Sequence, residues 1–265
     1  MKLIGALILI LTTCISSRSF SQEVYDNGQP VFSGDNQNGE YIRHFPSGKP
    51  EMVMTFVNGK MEGEFINYYE NGTINQKGWY INGLREGHWI MYSDSGVVIA
   101  DYHCKNNGFE GDFLSYFHSG KLRQKEFYKD GKREGEYWQY NEEGVVLIKG
   151  SYKLGKKTGM WEHFYDNGEY FKRGPYVEHE KKGEWTFYYE DGTIMSQGML
   201  ENSVEHGPYA NYYKNGNLHS KGNYTRGFAE GEWIYYNEDG TEKERKIYDK
   251  PKFEYGDGLL PVKAE

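Results

Sequence analysis

The chain is governed by a 24-residue period. Glycine stands at 39, 63, 87, 111, 135, 159, 183, 207 and 231, and a second glycine follows nine residues after each, at 48, 72, 96, 120, 144, 168, 192, 216 and 240. Two residues after each first glycine comes an aromatic: Tyr41, Phe65, Trp89, Phe113, Tyr137, Trp161, Trp185, Tyr209 and Trp233. Three columns held in register mark a repeat array. Such an array grows along one axis and buries its apolar surface between neighbouring repeats, not in one central core.

One unit shows what the repeat folds into. Residues 63–87 read GEFINYYENGTINQKGWYINGLREG. Residues 64–69 are strand formers, and Glu70-Asn71-Gly72 breaks them. Asn-Gly between two such runs signals a hairpin, because both residues tolerate positive φ. Residues 73–81 form the return strand, and Asn82-Gly83 with Glu86-Gly87 make a second, wider turn into the next unit. Phe65, Asn67 and Tyr69 share one face of the first strand, and Ile66 and Tyr68 share the other, so both faces are partly apolar. Aromatic residues make up 17% of the chain, with 25 tyrosines, which suits ring packing on a pleated surface and not helices built on Leu and Ala. The expected fold class is all-β: an elongated array of antiparallel β-hairpins, a meander in a single twisted sheet, with no helical layer.

The expected organisation is a signal peptide over 1–21, a degenerate N-terminal cap over 22–38, nine repeats over 39–248, and a C-terminal cap or tail over 249–265. The leader has a positive start at Lys2, an apolar run over 3–11 and a small-x-small site ending at Ser21. Nine apolar residues are too few for a stable membrane span. The rival reading is a lipoprotein leader, with Leu11-Thr12-Thr13-Cys14 as the lipidation box and Cys14 modified. Either reading exports the mature protein to the periplasm, the cell envelope or the medium. In the cap, Tyr25-Asp26-Asn27-Gly28 echoes the hairpin turn out of register.

The net charge is −8. An acidic surface disfavours nucleic acid and anionic lipid as partners. Cys14 and Cys104 are the two cysteines, and Cys104 stands in a column otherwise filled mostly by Tyr, so it reads as a packing residue.

The phrase Gly-x-Trp/Tyr/Phe-x-x-Tyr-(Tyr/Phe)-x-Asn-Gly…Gly-x-Tyr-x-x-Gly-x-x-Glu-Gly resembles the MORN repeat in its bacterial variant form. Residues 183–207 and 207–231 are good copies, and the resemblance covers about 39–248. The chain also looks like the group named YwqK-family antitoxins. The resemblance implies a hairpin array that serves as a scaffold or is appended to an enzyme, and lipid binding has been proposed for some such arrays. No attached catalytic domain is visible in the sequence.

Candidate chemistry is thin. Residues 150–158 (GSYKLGKKT) nearly spell a phosphate-binding loop, but Lys157 stands where Ser or Thr is needed, and a strand follows instead of a helix. The histidines His44, His88, His103, His118, His163, His179, His206 and His219 lack helical zinc spacing. His103 and Cys104 are adjacent and so point to opposite faces of a strand. Glu178-His179-Glu180 reads as a solvated loop, and Glu142-Glu143 as turn composition. Glu62, Glu86, Glu110, Glu134 and Glu230 precede first-column glycines and read as duplicated turn residues, too far apart to share an ion. The aromatic columns could stack sugars or apolar chains, but a thin sheet needs the same rings to hold together. Lys132-Arg133, Lys156-Lys157 and Lys181-Lys182 could form a basic stripe along one edge of wide turns. No catalytic residue, cofactor or metal site is expected. The leading expectation is a non-enzymatic, exported repeat scaffold that binds a protein partner. The alternatives are a membrane-surface or envelope module binding lipid, and an antitoxin-like inhibitor of a toxin acting outside the cytoplasm.

Overall fold

Short runs of strand formers punctuated by positive-φ glycines fold as a meander of hairpins. A computed structural model describes residues 38–249, 253–254 and 262–263. The proposed leader over 1–21, the cleavage site at Ser21, Cys14 and the echo turn at 25–28 lie outside the described residues, as does most of the 249–265 tail. The described residues contain strands and turns and no helix, so none crosses a membrane as a helix. They fall into two compact units divided between Gly144 and Val145.

The first unit holds β1 (Gly39–His44), β2 (Pro50–Val57), β3 (Lys60–Tyr68), β4 (Ile74–Ile81), β5 (Leu84–Tyr92), β6 (Val98–Lys105), β7 (Gly108–Tyr116), β8 (Leu122–Lys129) and β9 (Lys132–Tyr140). The second holds β10 (Val146–Lys153), β11 (Lys156–Phe164), β12 (Tyr170–Val177), the two-residue β13 (Glu180–Lys181), β14 (Gly183–Tyr188), β15 (Ile194–Glu201), β16 (Val204–Tyr212), β17 (Leu218–Thr225), β18 (Phe228–Tyr236) and β19 (Glu242–Tyr248). Within each unit the strands pair antiparallel with their neighbours in sequence, β12 pairing with both β13 and β14. The tail contributes a small pair, β20 (Phe253–Glu254) and β21 (Val262–Lys263). The all-β hairpin meander is therefore as the sequence predicts.

The turn chemistry is the reverse of the sequence expectation. Around Asn71-Gly72 only Gly72 has positive φ, at 91°. Gly72 N–H donates to Tyr69 O at 2.8 Å, and Tyr69 N–H donates to Thr73 O at 2.8 Å. That is a three-residue loop, a type I turn closed by a left-handed glycine, and not the two-residue form. The two-residue form lies at the other turn, where Ile81 pairs with Leu84 and both Asn82 (φ 52°) and Gly83 (φ 82°) are left-handed. The turn expected to be wider is thus the tighter one. Where its second residue is not glycine, that side chain caps the neighbouring hairpin. Asn107 Oδ1, His179 Nδ1 and Ser203 Oγ accept from the backbone N–H groups of Arg85 (2.8 Å), Lys157 (3.3 Å) and Lys181 (2.9 Å).

Glu86-Gly87 is not a turn at all. It lies inside β5, where the register against β4 shifts between Lys77 and Trp79. The first-column glycine marks a strand bulge, which kinks the strand and carries the next aromatic across its neighbour. Its preceding glutamate caps a turn: Glu62, Glu86 and Glu110 accept from the N–H groups of Asn82 (2.7 Å), Asn106 (2.7 Å) and Asp130 (2.8 Å). The loop tyrosines tie successive repeats together, with Tyr69, Tyr165, Tyr189 and Tyr213 donating to the carbonyls of Tyr92, Tyr188, Tyr212 and Tyr236.

The core is one aromatic face of the sheet. The bulge lays Trp89 over Gly78, Trp161 over Gly150, Trp185 over Gly174, and Trp233 over Gly222. A β-carbon on any of these glycines would sit inside the indole. Where the same column holds a larger residue, the facing ring is smaller: Met54 pairs with Phe65, Tyr102 with Phe113, and Glu126 with Tyr137. Tyr209 lies over Gly198. Trp89, Trp161 and Trp185 are fully buried. Each buried indole removes some 200 Å² of apolar area, worth on the order of 5 kcal/mol, well above the ~0.2–1 kcal/mol of an exposed ion pair. Rings of the column two residues beyond the glycine then pack edge-on, such as Tyr80 on Trp89 at 5.3 Å and Tyr176 on Trp185 at 5.2 Å between centroids.

Gly78→Ala should destabilise the protein by about 1–3 kcal/mol, an overpacking cost. Adding Trp89→Phe should recover part of that loss, since the chain already pairs larger residues with smaller rings. Denaturant melts of the two single variants and the double variant measure the coupling, and strict additivity would contradict the packing described.

Candidate functional site

The two faces of the sheet carry different chemistry. On the inner face a row of basic side chains lies across the buried rings. In the first unit the Arg85 guanidinium carbon sits 4.9 Å from the Trp89 ring centroid. In the second, Lys157 Nζ lies 4.0 Å from the Trp161 centroid and Lys181 Nζ 4.7 Å from that of Trp185. Each indole is thus held between a glycine on one side and a cation on the other, a favourable contact for the negative ring face. The expected basic stripe of turn-edge lysines does not form. Lys132 and Lys156 are exposed at strand starts, and Lys156 pairs with Glu178 at 3.3 Å. Arg133, Lys157 and Lys181 instead occupy the inward-facing position, because strand alternation sends consecutive residues to opposite faces.

In the first unit one buried carboxylate interrupts the glycine column. The Glu126 side chain is 0% exposed and meets Arg133 Nε at 2.6 Å. Gln124 Nε2 and Tyr128 OH donate to its other oxygen at 2.9 and 3.1 Å. Burial, then the Glu126 charge, push the Tyr128 hydroxyl pKa well up. This cluster holds a charge that would otherwise be costly to bury. Glu126 carried no signal in the sequence beyond standing where five other repeats have glycine.

In the second unit His163 stands opposite Lys172 and Ile148. Burial, then the charges of Lys172, Lys157 and Lys181, lower its pKa from 6.5 to about 4. Its Nε2 is buried without a hydrogen-bond partner. Among the described residues no group of three or more His, Cys, Asp or Glu side chains could hold a metal ion.

The outer face displays what the inner face hides. In the first unit Trp79 is 49% exposed and Phe127 41% exposed. Trp79 stands opposite Glu64 and Glu86, and Phe127 opposite Asp112. Between them His103 stacks on His88 at 4.9 Å, and His88 Nε2 lies 2.7 Å from Asp101. Cys104 points the other way into the core, 3% exposed, as alternation predicts. In the second unit Pro208 and Ala210 leave an open groove of about 640 Å³, with Met199 and Ile234 in its walls and Glu184 and Lys221 at its rim.

Two further sequence candidates lie in turns. The near-phosphate loop at 150–158 is the end of β10, a two-residue turn at Leu154-Gly155, and the start of β11. Glu142-Glu143 sits in the exposed turn closed by Gly144 N–H to Asn141 O.

The profile of the MORN repeat variant matches residues 61–82, 109–130, 181–202 and 205–225. That family is a non-catalytic repeat module, and no enzyme family is indicated. No curated protein matches the chain. Several solved structures resemble it distantly, two of them as follows. The crystal structure of TcdB2-TccC3-Cdc42 shares 11% identity over 80% of this chain and 14% of its own, with a TM-score of 0.19. That of TcdB2-TccC3 shares 11% over 84% and 15%, with a TM-score of 0.20. The chain therefore spans a small fraction of those proteins, and the likeness is too remote to bear on fold or function.

Removing one partner of the buried pair, Arg133→Met, should cost about 3–5 kcal/mol by stranding the carboxylate. Replacing the cluster as a unit, Glu126→Gly with Tyr137→Trp, recreates the common glycine–indole pair and should be neutral or stabilising in the same denaturant melts.

His163 generates a pH dependence of defined sign. Its folded pKa lies below its unfolded value, so the unfolded chain takes up a proton first as pH falls. The stability difference between wild type and His163→Gln should shift against wild type from pH 6.5 down to about 4 and level off below. Thermal melts across that range provide the measurement, and a constant difference would contradict the buried neutral imidazole.

Proposed function

We propose that this protein is a non-catalytic repeat scaffold that docks a protein partner on the outer face of its first unit. One observation carries the reading: Trp79 and Phe127 stand exposed on the sheet while the indoles of the inner face are sealed. Exposed rings of this kind supply rigid contact area at small entropic cost and are common anchors of binding energy. Their acidic neighbours, Glu64, Glu86 and Asp112, set the partner's chemistry. A segment with apolar and basic side chains fits both the rings and the net charge of −8. The MORN repeat variant matches are consistent with such a module. On this reading the chain is exported by its 1–21 leader and works outside the cytoplasm. An antitoxin-like inhibitor would be the special case in which the partner is a toxin bound one to one.

The test is a pull-down from the native envelope with residues 22–265 as bait, run beside a Trp79→Ala, Phe127→Ala variant. The expected result is a dominant protein partner at near-equal amount whose affinity falls at least about 30-fold in the variant, with an unchanged melt. Recovery of bulk lipid alone, or equal capture by both baits, would favour the membrane-surface reading or another face.

A further inference from the structure

On the inner face of the second unit, Lys172 and Lys181 differ from the outward lysines in their partners. Outward lysines find acids: Lys149 with Glu162, Lys156 with Glu178, and Lys214 with Asp191. In the first unit the inward Arg133 has Glu126. Lys172 of β12 and Lys181 of β13 make no ion pair with any acid among the described residues.

Lys157 and Lys181 share one aromatic floor, and Lys172 Nζ lies 5.1 Å from the Phe171 ring centroid. Lys181 Nζ lies over Trp185, and Lys157 Nζ lies over Trp161 and 5.1 Å from the Tyr176 centroid. The Tyr176 ring sits 5.8 Å from Trp161 and 5.2 Å from Trp185. His163 of β11 faces Lys172 directly, and its buried Nε2 has no partner. The groups packed around His163 are Lys172 from β12, Lys157 from its own strand, Lys181 from β13, and the neutral Ile148 from β10. Beyond Lys172 stands Phe187 of β14. The next residue in the Lys157–Lys181 column is Glu205 of β16, which stands opposite Leu200 and makes no ion pair with Lys181.

The Lys172 and Lys181 ammonium groups repel each other on this half-buried surface, and a protein of net charge −8 could have spared an acid for them. We propose that Lys172, Lys181 and His163, with Lys157 beside them, form a binding site for a tetrahedral dianion, either a free oxyanion or a phosphate monoester. The anion relieves the repulsion between the ammonium groups. It also gives the imidazole an acceptor when it is protonated, so anion binding and proton uptake at His163 are linked. The site lies in the second unit and does not depend on the docking rings of the first.

Histidine-selective NMR on the full chain tests this, with sodium sulfate as the probe because its charge is constant across the titration. In sodium chloride the His163 signal should titrate near pH 4. Sulfate at matched ionic strength should shift that signal saturably and raise its pKa by about one unit. Lys172→Met should abolish the sulfate response while the His88, His103 and His219 signals stay in place and report an intact fold. A methyl phosphate arm at about pH 7.5, where both probes are dianions, separates the sources: tighter binding than sulfate assigns the site to an esterified phosphate, and equal or weaker binding to a free oxyanion. A response no larger than that to chloride, or one that persists in Lys172→Met, would overturn the proposal.

Discussion

The structure depends on an indole laid flat over a glycine. A sheet one layer thick has no second layer to bury its rings, so it must fold them onto its own backbone. The bulge at the first-column glycine delivers Trp89 across the strand, and the bare backbone of Gly78 receives it. No side chain larger than hydrogen can stand there without displacing the ring. The chain respects this exclusion wherever it departs from it: on the following strand Met54, Tyr102 and Glu126 meet Phe65, Phe113 and Tyr137, not tryptophan. Local turn chemistry, bulge and core packing are thus one constraint expressed three ways, and that mutual agreement makes a fold robust.

The same arrangement decides where charge goes. A cation over an indole is favourable and keeps its stem on apolar surface, so inward basic residues belong to the core as much as to the surface. Arg85 over Trp89 and Lys181 over Trp185 show this use. Glu126 marks the one place among the described residues where the glycine column holds a carboxylate, and there the local cation forms an ion pair. Beside His163, Lys172 and Lys181 make no ion pair with an acid among the described residues, and Lys181 acts on Lys172 instead.

The outer face follows a different logic. It bears no packing obligation, so its residues are free to vary, and they do: acids beside Trp79 and Phe127, a His–His–Asp group between them, and a groove where Pro208 and Ala210 are small. Variation imposed on a uniform scaffold is the usual way a repeat array acquires a binding surface.

The sequence by itself determined the period, the all-β hairpin architecture and the buried aromatic column. These follow from spacing, from positive-φ residues and from the alternation of a strand, which also placed His103 and Cys104 on opposite faces. It did not determine which turn was tight. Asn71-Gly72 and Asn82-Gly83 are the same dipeptide, and only the pairing of Ile81 with Leu84 against that of Tyr69 with Thr73 separates a two-residue turn from a three-residue one. Nor did it reveal that Glu86-Gly87 lies within a strand, since a bulge and a turn ask for the same residue. The partnership of Gly78 with Trp89, the ion pair of Glu126 with Arg133, and the gathering of Lys172, Lys181 and His163 were decided by tertiary structure alone. Each joins residues that the antiparallel register brings together across strands, and side-chain contact across a sheet is set by register and bulge, which no single strand's sequence encodes.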